Sequence, residues 1–323
     1  MESAKTSFVS GGFVRLTLVT ALATFGLVVF GAVVRVTDSG LGCGNHWPLC
    51  NGTVFPPLDN LTAWIEWLHR LFAVLIGLLG TGMLVIAVRA YRQRNRIVLG
   101  ATLGAALLFA VQSVLGAIVV ILELPPTMVT LHLGTAMLLL GALLLAATSA
   151  AYRPPTRQPL DSVSAMAFIT TALALVIILT GALVRGSGAT LACVDWPLCN
   201  GQVLPFSQGQ LAVIHMIHRG AVLALGIVLL LLVWMVFRTR AAGARWLSAA
   251  ALAAYLAQAG VGALYVLSSA APVWGAAHVG LAALTWALLV ILSATEWLNS
   301  RELSVEIVGS NTKRWYPHSE AIN

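Results

Sequence analysis

Charged side chains are scarce in this chain of 323 residues: 9% of its residues are charged, whereas 59% are hydrophobic and the mean hydropathy is +0.92. Ordinary globular domains carry about 25% charged residues. The composition therefore excludes a soluble cytosolic protein and a disordered chain. Four cysteines are too few for a disulfide-dense miniprotein. Acidic residues number 11 against 18 basic ones, and we interpret this excess as membrane topology, with no nucleic-acid partner.

Long apolar runs fill most of the chain. A membrane-spanning helix needs about 20 mostly apolar residues, and eight runs meet this length. They lie at about 13–35, 62–88, 97–122, 127–150, 163–185, 210–237, 244–268 and 272–295. Polar backbone groups cannot stay unpaired in lipid, so each run predicts a helix. The first run lacks a clean small-residue cleavage site, and we interpret it as a structural helix instead of a signal peptide.

Most basic residues fall on one side of these runs. The exceptions lie at or just inside helix ends on the other side, and they are Arg35, Arg70, Arg185 and Arg219. By the positive-inside rule, the side with most basic residues is cytoplasmic. The sequence therefore predicts a multi-pass protein of the cell (inner) membrane, with both termini in the cytoplasm. The loops 36–61 and 186–209 are predicted to face outward.

The two halves of the chain repeat each other in the same residue order. The matching elements are Gly31–Arg35 with Gly181–Arg185, Cys43 with Cys193, Trp47–Gly52 with Trp196–Gly201, His69-Arg70 with His218-Arg219, Gln112 with Gln258, Gly116 with Gly262, Pro126 with Pro272, and His132 with His278. An even number of spans in each half makes the repeats parallel, related by an axis along the membrane normal.

The predicted fold is an all-α integral membrane protein, in which eight transmembrane helices form two pseudo-symmetric four-helix bundles from a tandem repeat. We place the N-terminal bundle at 1–152 and the C-terminal bundle at 161–298. A cytoplasmic linker at 153–160 joins them, and a cytoplasmic tail follows at 299–323.

Four histidines recur as two pairs, His69 with His132 and His218 with His278. Each lies a few residues from the outward end of its run, so all four share a similar depth. Two imidazoles at one depth on facing helices are what a six-coordinate haem iron needs. Interhelical hydrogen bonding is the alternative for a single histidine. A closed zinc site fits less well, because each half supplies two such histidines and no cysteine at that depth.

The repeat breaks at one informative position. Glu66 precedes His69 by three residues, whereas His215 precedes His218. Residues at this spacing share a helix face, so Glu66 is a candidate catalytic acid/base or stabiliser of developing positive charge. An ion pair with a neighbouring arginine is the alternative. His215 is open to three roles: a contact to a second haem, a third metal ligand or a structural donor. The asymmetry predicts chemistry in the first half and a cofactor in the second.

Four arginines lie near the same helix ends as the histidines. They are Arg35, Arg70, Arg185 and Arg219. We predict them as candidate contacts of haem propionates, because guanidinium groups bind carboxylates in a bidentate manner. Ordinary snorkelling to the membrane interface is the alternative.

The cysteines form one pair in each predicted outward loop. The simplest pairing gives two short-loop disulfides, Cys43–Cys50 and Cys193–Cys199, in an oxidising compartment. Cross-pairing between the halves stays open. So does a redox-active or metal-carrying dithiol in the first pair, with His46 as an added ligand. Tryptophans beside the cysteines suit an interfacial cap.

Taken together, these motifs resemble the haem A synthase family. The resemblance runs from about Leu16 to Thr295. It rests on Gly31–Arg35, Gly40–Gly44, Trp47–Cys50, Glu66-x-x-His69-Arg70, His132, Trp196–Cys199, His218-Arg219 and His278. Any one of these elements is weak by itself, whereas the combined set is specific.

The resemblance implies an oxidoreductase that converts the C8 methyl of haem O to a formyl group through hydroxylated intermediates, giving haem A for terminal oxidases. It implies that His69 and His132 flank the substrate iron, with Glu66 as the catalytic carboxylate. It further implies that His218 and His278 ligate a haem b cofactor. Haem O synthase, oxidase assembly factors and an unidentified electron donor or acceptor are the implied partners, besides membrane lipid.

Two other functions compete with this one. A dihaem electron-transfer protein would explain the four histidines, although it would leave the Glu66 asymmetry without a reason. A haem carrier would need weaker, exchangeable ligation. The enzyme hypothesis has its own difficulty, since an iron with two histidine ligands has no open position for oxygen.

Overall fold

The computed structural model describes residues 2–154 and 158–301, with side chains from residue 11 onward. Over these residues the chain forms eight α-helices and two short 3-10 helices, and no strand longer than an isolated bridge. The α-helices are α1 Glu2–Val36, α2 Leu61–Tyr91, α3 Arg96–Ile121, α4 Pro126–Ala151, α5 Ser162–Gly186, α6 Gln210–Thr239, α7 Ala242–Leu267 and α8 Pro272–Asn299.

The predicted all-α fold with eight membrane helices is confirmed. Each α-helix is long and apolar enough to cross a membrane. The largest difference is at α1, which begins at Glu2, whereas the apolar run predicts a start near residue 13. Hydropathy detects only the apolar part of a helix, and in α1 that part is Gly11–Val36. Most of the predicted tail and the middle of the predicted linker lie outside the described residues.

Polar caps and prolines fix where the helices begin. The side chain of Asn95 accepts hydrogen bonds from the backbone N–H groups of Ile97 and Val98 at the start of α3, both at 3.1 Å. Such caps satisfy donors that the first helical turn leaves free. Pro126 and Pro272 begin α4 and α8, where a missing N–H has no cost. For α4 and α8 the repeat seen in the sequence therefore extends to the way the helix starts.

The helices pack as two four-helix bundles that lie side by side. In the first bundle α2 and α4 each contact α1 and α3, so α2 and α4 lie across the bundle from each other. In the second bundle α6 and α8 have the same relationship. The bundles meet through α1 with α8, α4 with α5, and α4 with α8. Trp286 on α8 packs so closely on Gly141 of α4 that an added Cβ would lie 2.6 Å from its ring.

One end of both bundles carries the two cysteine loops, 37–60 and 187–209, and we call it the cysteine end. The opposite end contains a buried ionic network in the second bundle. Arg240 donates to Glu296 of α8 at 2.7 Å and to Asp161, the N-cap of α5, also at 2.7 Å. The hydrogen bond from Arg240 lowers the pKa of Asp161 to about 2. This network ties three helix ends of the second bundle together.

Candidate functional site

Each of the four repeated histidines lies in a space made by a glycine on the preceding helix. A Cβ added at any of these glycines would come within 2.9–3.2 Å of the imidazole Cε1. The pairs are His69 with Gly31, His132 with Gly116, His218 with Gly181, and His278 with Gly262. Real Cβ atoms rarely approach so closely, so glycine lets each imidazole reach the interior of its bundle. Each of these repeated glycines thus provides space for the imidazole that it contacts.

The two histidines of the second bundle have their Nδ1 atoms held by oxygen acceptors. Nδ1 of His278 lies 3.0 Å from the carbonyl oxygen of Gln258 and donates to it. Nδ1 of His218 lies 2.9 Å from Oγ1 of Thr180. The hydroxyl proton of Thr180 goes to the Ile177 carbonyl at 2.8 Å, so Thr180 accepts from Nδ1–H. Both rings therefore present an unprotonated Nε2, which is the arrangement that orients a metal-binding histidine.

The histidines of the first bundle are held differently. Nδ1 of His69 and of His132 are buried without a hydrogen-bond partner among the described residues. Nε2 of His132 instead lies 3.1 Å from the side-chain Nε2 of Gln112. Oε1 of Gln112 lies 2.7 Å from Oγ1 of Thr135, and the amide Nε2 lies on the side of His132. The second bundle lacks this arrangement, because Leu281 stands where the first has Thr135.

The donor set fits a haem in each bundle. Two imidazoles approach from α2 and α4 in one bundle and from α6 and α8 in the other, across the bundle interior. A haem iron takes four ligands from its macrocycle and needs two more from the protein. Among the described residues there is no group of three or more His, Cys, Asp or Glu side chains placed to hold a bare metal ion. His46 therefore forms no such group with the cysteines.

Glu66 connects the first bundle to its cysteine loop. Its side chain is 4% exposed and pairs with Arg70 one turn further along α2. Its other oxygen accepts a hydrogen bond from the backbone N–H of Cys43 at 2.8 Å. Of the two roles left open by the sequence, the structure shows the ion pair with arginine. The same carboxylate lies one helical turn from His69, on the side of the cysteine end.

Arg70 and Arg219 bind the loops above them. Nη1 of Arg70 donates to the carbonyl oxygens of His46 at 3.2 Å and Leu49 at 3.2 Å. Nη1 of Arg219 donates likewise to the carbonyl of Asp195 at 2.9 Å. The sequence did not predict these contacts, because a long arginine side chain can reach many different backbone carbonyls. The predicted propionate contacts of both arginines stay predictions, and Nε of Arg70 is buried without a partner among the described residues.

His215 takes the place of Glu66 as the neighbour of the loop arginine. Its Nε2 lies 3.3 Å from Nη2 of Arg219. Since a guanidinium only donates, Nε2 of His215 is the acceptor. This contact favours a structural role among the three that the sequence left open.

The remaining two arginines lie near the boundary between the halves. Nη2 of Arg185 is 3.6 Å from Oδ1 of Asp38, in the loop of the other half. This exposed pair contributes little stability and links the end of α5 to the first cysteine loop. Arg35 ends α1, and its predicted contact with a propionate also stays a prediction.

The predicted disulfide pairing within each loop is confirmed by the structure. The S–S distances are 2.05 Å for Cys43–Cys50 and 2.04 Å for Cys193–Cys199, and all four residues are at most 1% exposed. Cross-pairing between the halves is therefore wrong. This burial favours a structural role over a redox-active dithiol.

A tight hairpin turn follows each disulfide. In the first loop it runs through Asn51 and Gly52, with φ of 49° and 83°, as such two-residue hairpins require. In the second loop Asp195 accepts from the N–H of Gly201 at 2.8 Å, and this bond holds the pKa of Asp195 below its usual range. The sequence suggested no role for Asp195, although an acidic residue shortly before Asn-Gly is typical of turns.

The fold and the site define a polytopic membrane protein of two fused four-helix bundles, each with a pair of histidines on helices that lie across the bundle from each other. The chain belongs to the cytochrome oxidase assembly protein family, whose sequence model matches residues 14–290. It is 34% identical over 281 residues to the Heme A synthase of Symbiobacterium thermophilum, which covers 82% of this chain and 89% of that protein. It is 32% identical over 289 residues to the Heme A synthase of Shouchella clausii, covering 86% of this chain and 95% of the relative.

Proposed function

We propose that this protein is a haem A synthase that oxidises the C8 methyl of haem O to a formyl group, supplying haem A to terminal oxidases. Family membership and the similarity to two Heme A synthases support this activity. The observation that carries the proposal is the unequal treatment of two otherwise repeated histidine pairs. One pair is fixed through Nδ1, as a resident cofactor requires, and the other is not.

The first bundle is the substrate site in this proposal. His69 and His132 would bind the iron of haem O. Nδ1 of each ring has no hydrogen-bond partner among the described residues, and rings held so loosely suit a substrate haem that must enter and leave. Gln112 already occupies Nε2 of His132, so haem binding at this histidine exchanges one bond for another. Because Gln112 can take the place of the iron at Nε2, His132 would be the more easily released of the two iron ligands. Its release would address the lack of an open position on the substrate iron.

The second bundle is the haem b site. His218 and His278 would ligate it through Nε2, since their Nδ1 atoms already donate elsewhere. Bound there, haem b would supply one-electron transfer for the oxidation. The residues around it do no further chemistry in this proposal.

Glu66 is the proposed catalytic carboxylate. Conversion of a methyl to a formyl group removes four electrons, with water supplying oxygen and four protons released, or with O₂ as oxidant and water as product. A buried carboxylate whose charge is held by Arg70 and the Cys43 N–H can accept such a proton or stabilise positive charge on the substrate. Glu66 is placed for this beside His69, whereas the second bundle has His215 instead.

The proposed location is the cell membrane, with the cysteine end outward and both termini in the cytoplasm. The support is the distribution of basic residues. Haem O synthase and oxidase assembly factors are proposed partners, because an apolar haem is best transferred within the membrane.

Co-expression with a source of haem O tests the proposed function. The protein is purified from aerobic cells, its non-covalent haems are extracted, and they are separated chromatographically. Haem A or its hydroxylated precursor, together with haem b, is the expected result. Glu66→Gln should lose the product and keep haem b, whereas Glu123→Gln, an exposed carboxylate at the same end, should keep both. Haem b alone in the wild-type protein, with electron acceptor supplied, would instead favour a dihaem electron carrier.

A further inference from the structure

A partly open cavity of about 220 Å³ lies among the helices of the first bundle. Residues of all four helices line it, among them Thr20, Ile76, Gly80, Met83, Ala106 and Phe109. Its two threonines do not offer free hydroxyls, because Thr20 donates to the Leu16 carbonyl and Thr81 to the Gly77 carbonyl, both at 2.8 Å. The cavity is therefore apolar in its chemistry.

Small residues line part of this cavity, and the corresponding positions of the second bundle carry larger side chains. Phe109 packs on Gly77 in the first bundle as Tyr255 packs on Gly226 in the second. Three residues after these two glycines, Gly80 in the first bundle corresponds to Leu229 in the second. Three residues before the two aromatic residues, Ala106 corresponds to Leu252.

The two leucines supply carbons that the first bundle lacks. Leucine has four side-chain carbons where Gly80 has none, and three more than Ala106. A Cβ added at Gly80 would meet nothing within 4 Å, whereas Leu229 is fully buried. Side-chain volume at these positions is thus a specific difference between two otherwise repeated bundles.

The cavity lies directly beyond the histidines, away from the cysteine end. Ile76 follows His69 by seven residues on α2, which places it about 10 Å further along the helix axis. Leu139 has the same relationship to His132 on α4. A macrocycle held between these histidines with its propionates toward the cysteine end therefore has its opposite edge facing the cavity.

We propose that this cavity binds the isoprenoid tail of the substrate haem. This inference rests on the proposed function. Haem O differs from haem b by a hydroxyethylfarnesyl chain in place of a vinyl group, so the tail is the feature by which a protein can distinguish them. An apolar cavity of about 150 Å³ already binds a molecule of the size of benzene. The cavity in the first bundle can accommodate a substantial part of the tail.

The second bundle would exclude the same tail in this proposal, because it carries Leu229 and Leu252 at the positions that correspond to Gly80 and Ala106. The two bundles therefore sort two haems that offer identical iron chemistry to identical ligands. In lipid the selectivity comes from packing within the cavity, since the surrounding acyl chains are as apolar as the tail.

Filling the cavity tests the proposal. The double variant Gly80→Leu/Ala106→Leu is purified with haem b in its second bundle and titrated with haem O or with further haem b. Occupancy of the first bundle is measured by absorbance and by haem extraction. We expect haem O binding to weaken at least tenfold while haem b binding there is unchanged. Gly100→Leu, which adds the same side chain to an exposed position of α3, should change neither.

Unchanged haem O affinity, or an equal loss of both haems, would overturn the proposal. Gly80→Ala and Ala106→Val fill less of the cavity and should give smaller losses specific to haem O. A membrane acyl chain is the competing occupant, and mass spectrometry of co-purified lipid distinguishes it. Lipid displaced when haem O binds supports the proposal, and lipid retained at the same stoichiometry contradicts it.

The titration is independent of turnover. Selective haem O binding without conversion would keep the tail site and reject the synthase activity. Conversion of haem O, with no effect of cavity filling on haem selectivity, would keep the synthase activity and reject the tail site.

Discussion

The carboxylate of Glu66 accepts a hydrogen bond of 2.8 Å from the backbone N–H of Cys43. A disulfide residue in the cysteine loop thereby helps to fix the orientation of a buried acid on α2. The loop arginine, Arg70, completes the contact from the other side. The first disulfide therefore has a geometric connection to the site that its repeat partner lacks, because His215 replaces the carboxylate.

Removing each disulfide should have different consequences for activity. We expect Cys43→Ser/Cys50→Ser to lower haem A formation, because the loop no longer holds the N–H against Glu66. Cys193→Ser/Cys199→Ser should leave conversion largely intact. Each removal should cost on the order of 2–3 kcal/mol of stability. Product yield and thermal unfolding of the two variants check this, and equal loss of activity in both would contradict the link to Glu66.

The Nδ1 acceptor of His218 should matter for haem b retention. Thr180→Val keeps the shape of the side chain and removes the hydroxyl that accepts from Nδ1–H. Loss of such an orienting contact typically lowers metal affinity about 10–100-fold. Haem b content and its redox potential should both change, and haem O binding in the first bundle should not. Thr171→Val, at a position about two and a half turns before Thr180 on α5, is the matched control.

Gln112 should act as a competitor for the iron-binding nitrogen of His132. Gln112→Leu removes the amide that occupies Nε2, so haem O should bind roughly 2- to 10-fold more tightly, given a net worth of about 0.5–1.5 kcal/mol for one hydrogen bond. Dissociation of haem should slow by a similar factor. Gln258→Leu serves as the control, because Gln258 contacts His278 through its backbone carbonyl. Weaker haem O binding in Gln112→Leu would show that the amide assists ligation.

Glycine at the histidine contacts should be required in each bundle separately. An added Cβ at Gly262 would lie 2.9 Å from His278 Cε1, whereas one at Gly260 would meet nothing within 4 Å. We therefore expect Gly262→Ala to weaken haem b binding about tenfold, the low end for a misplaced ligand. Gly260→Ala should behave as wild type. Gly116→Ala should impair the first bundle alone, as measured by extracted haem O.

The buried network of Arg240 should stabilise the second bundle without touching the haem sites. Glu296→Ala leaves the guanidinium of Arg240 buried with only Asp161 as a charged partner, and breaking a buried pair costs about 3–5 kcal/mol. The folded-state pKa of Asp161 is lowered to about 2, so its contribution is present above its unfolded pKa and is lost as pH falls toward 2. Thermal unfolding of wild type and variant between pH 7 and pH 3 measures both effects.

Much of the architecture could be predicted from the sequence. Hydropathy gave the eight helices, and the repeat gave two bundles whose histidines lie on facing helices. Loop spacing favoured the pairing of Cys43 with Cys50, which the structure confirms. These features depend on local composition or on residue order, which a sequence displays directly.

Other features depend on how distant side chains pack. The contact between Gln112 and Nε2 of His132 joins two helices through rotamers that the sequence does not encode locally. The cavity at Gly80 depends on side chains from all four helices of the first bundle, which no local sequence pattern brings together. Arg240 and Glu296 are 56 residues apart and have no equivalent pair in the first half, so the repeat gave no indication of their contact.

Haem extraction from two single-ligand variants tests the division between the bundles most directly. His132→Ala and His278→Ala are purified from cells that make haem O, and their haems are separated and counted per chain. The account predicts that His132→Ala keeps haem b and lacks haem O and haem A. It predicts that His278→Ala loses haem b and still binds haem O in its first bundle. Loss of the same haem from both variants, or haem O in the second bundle, would contradict it.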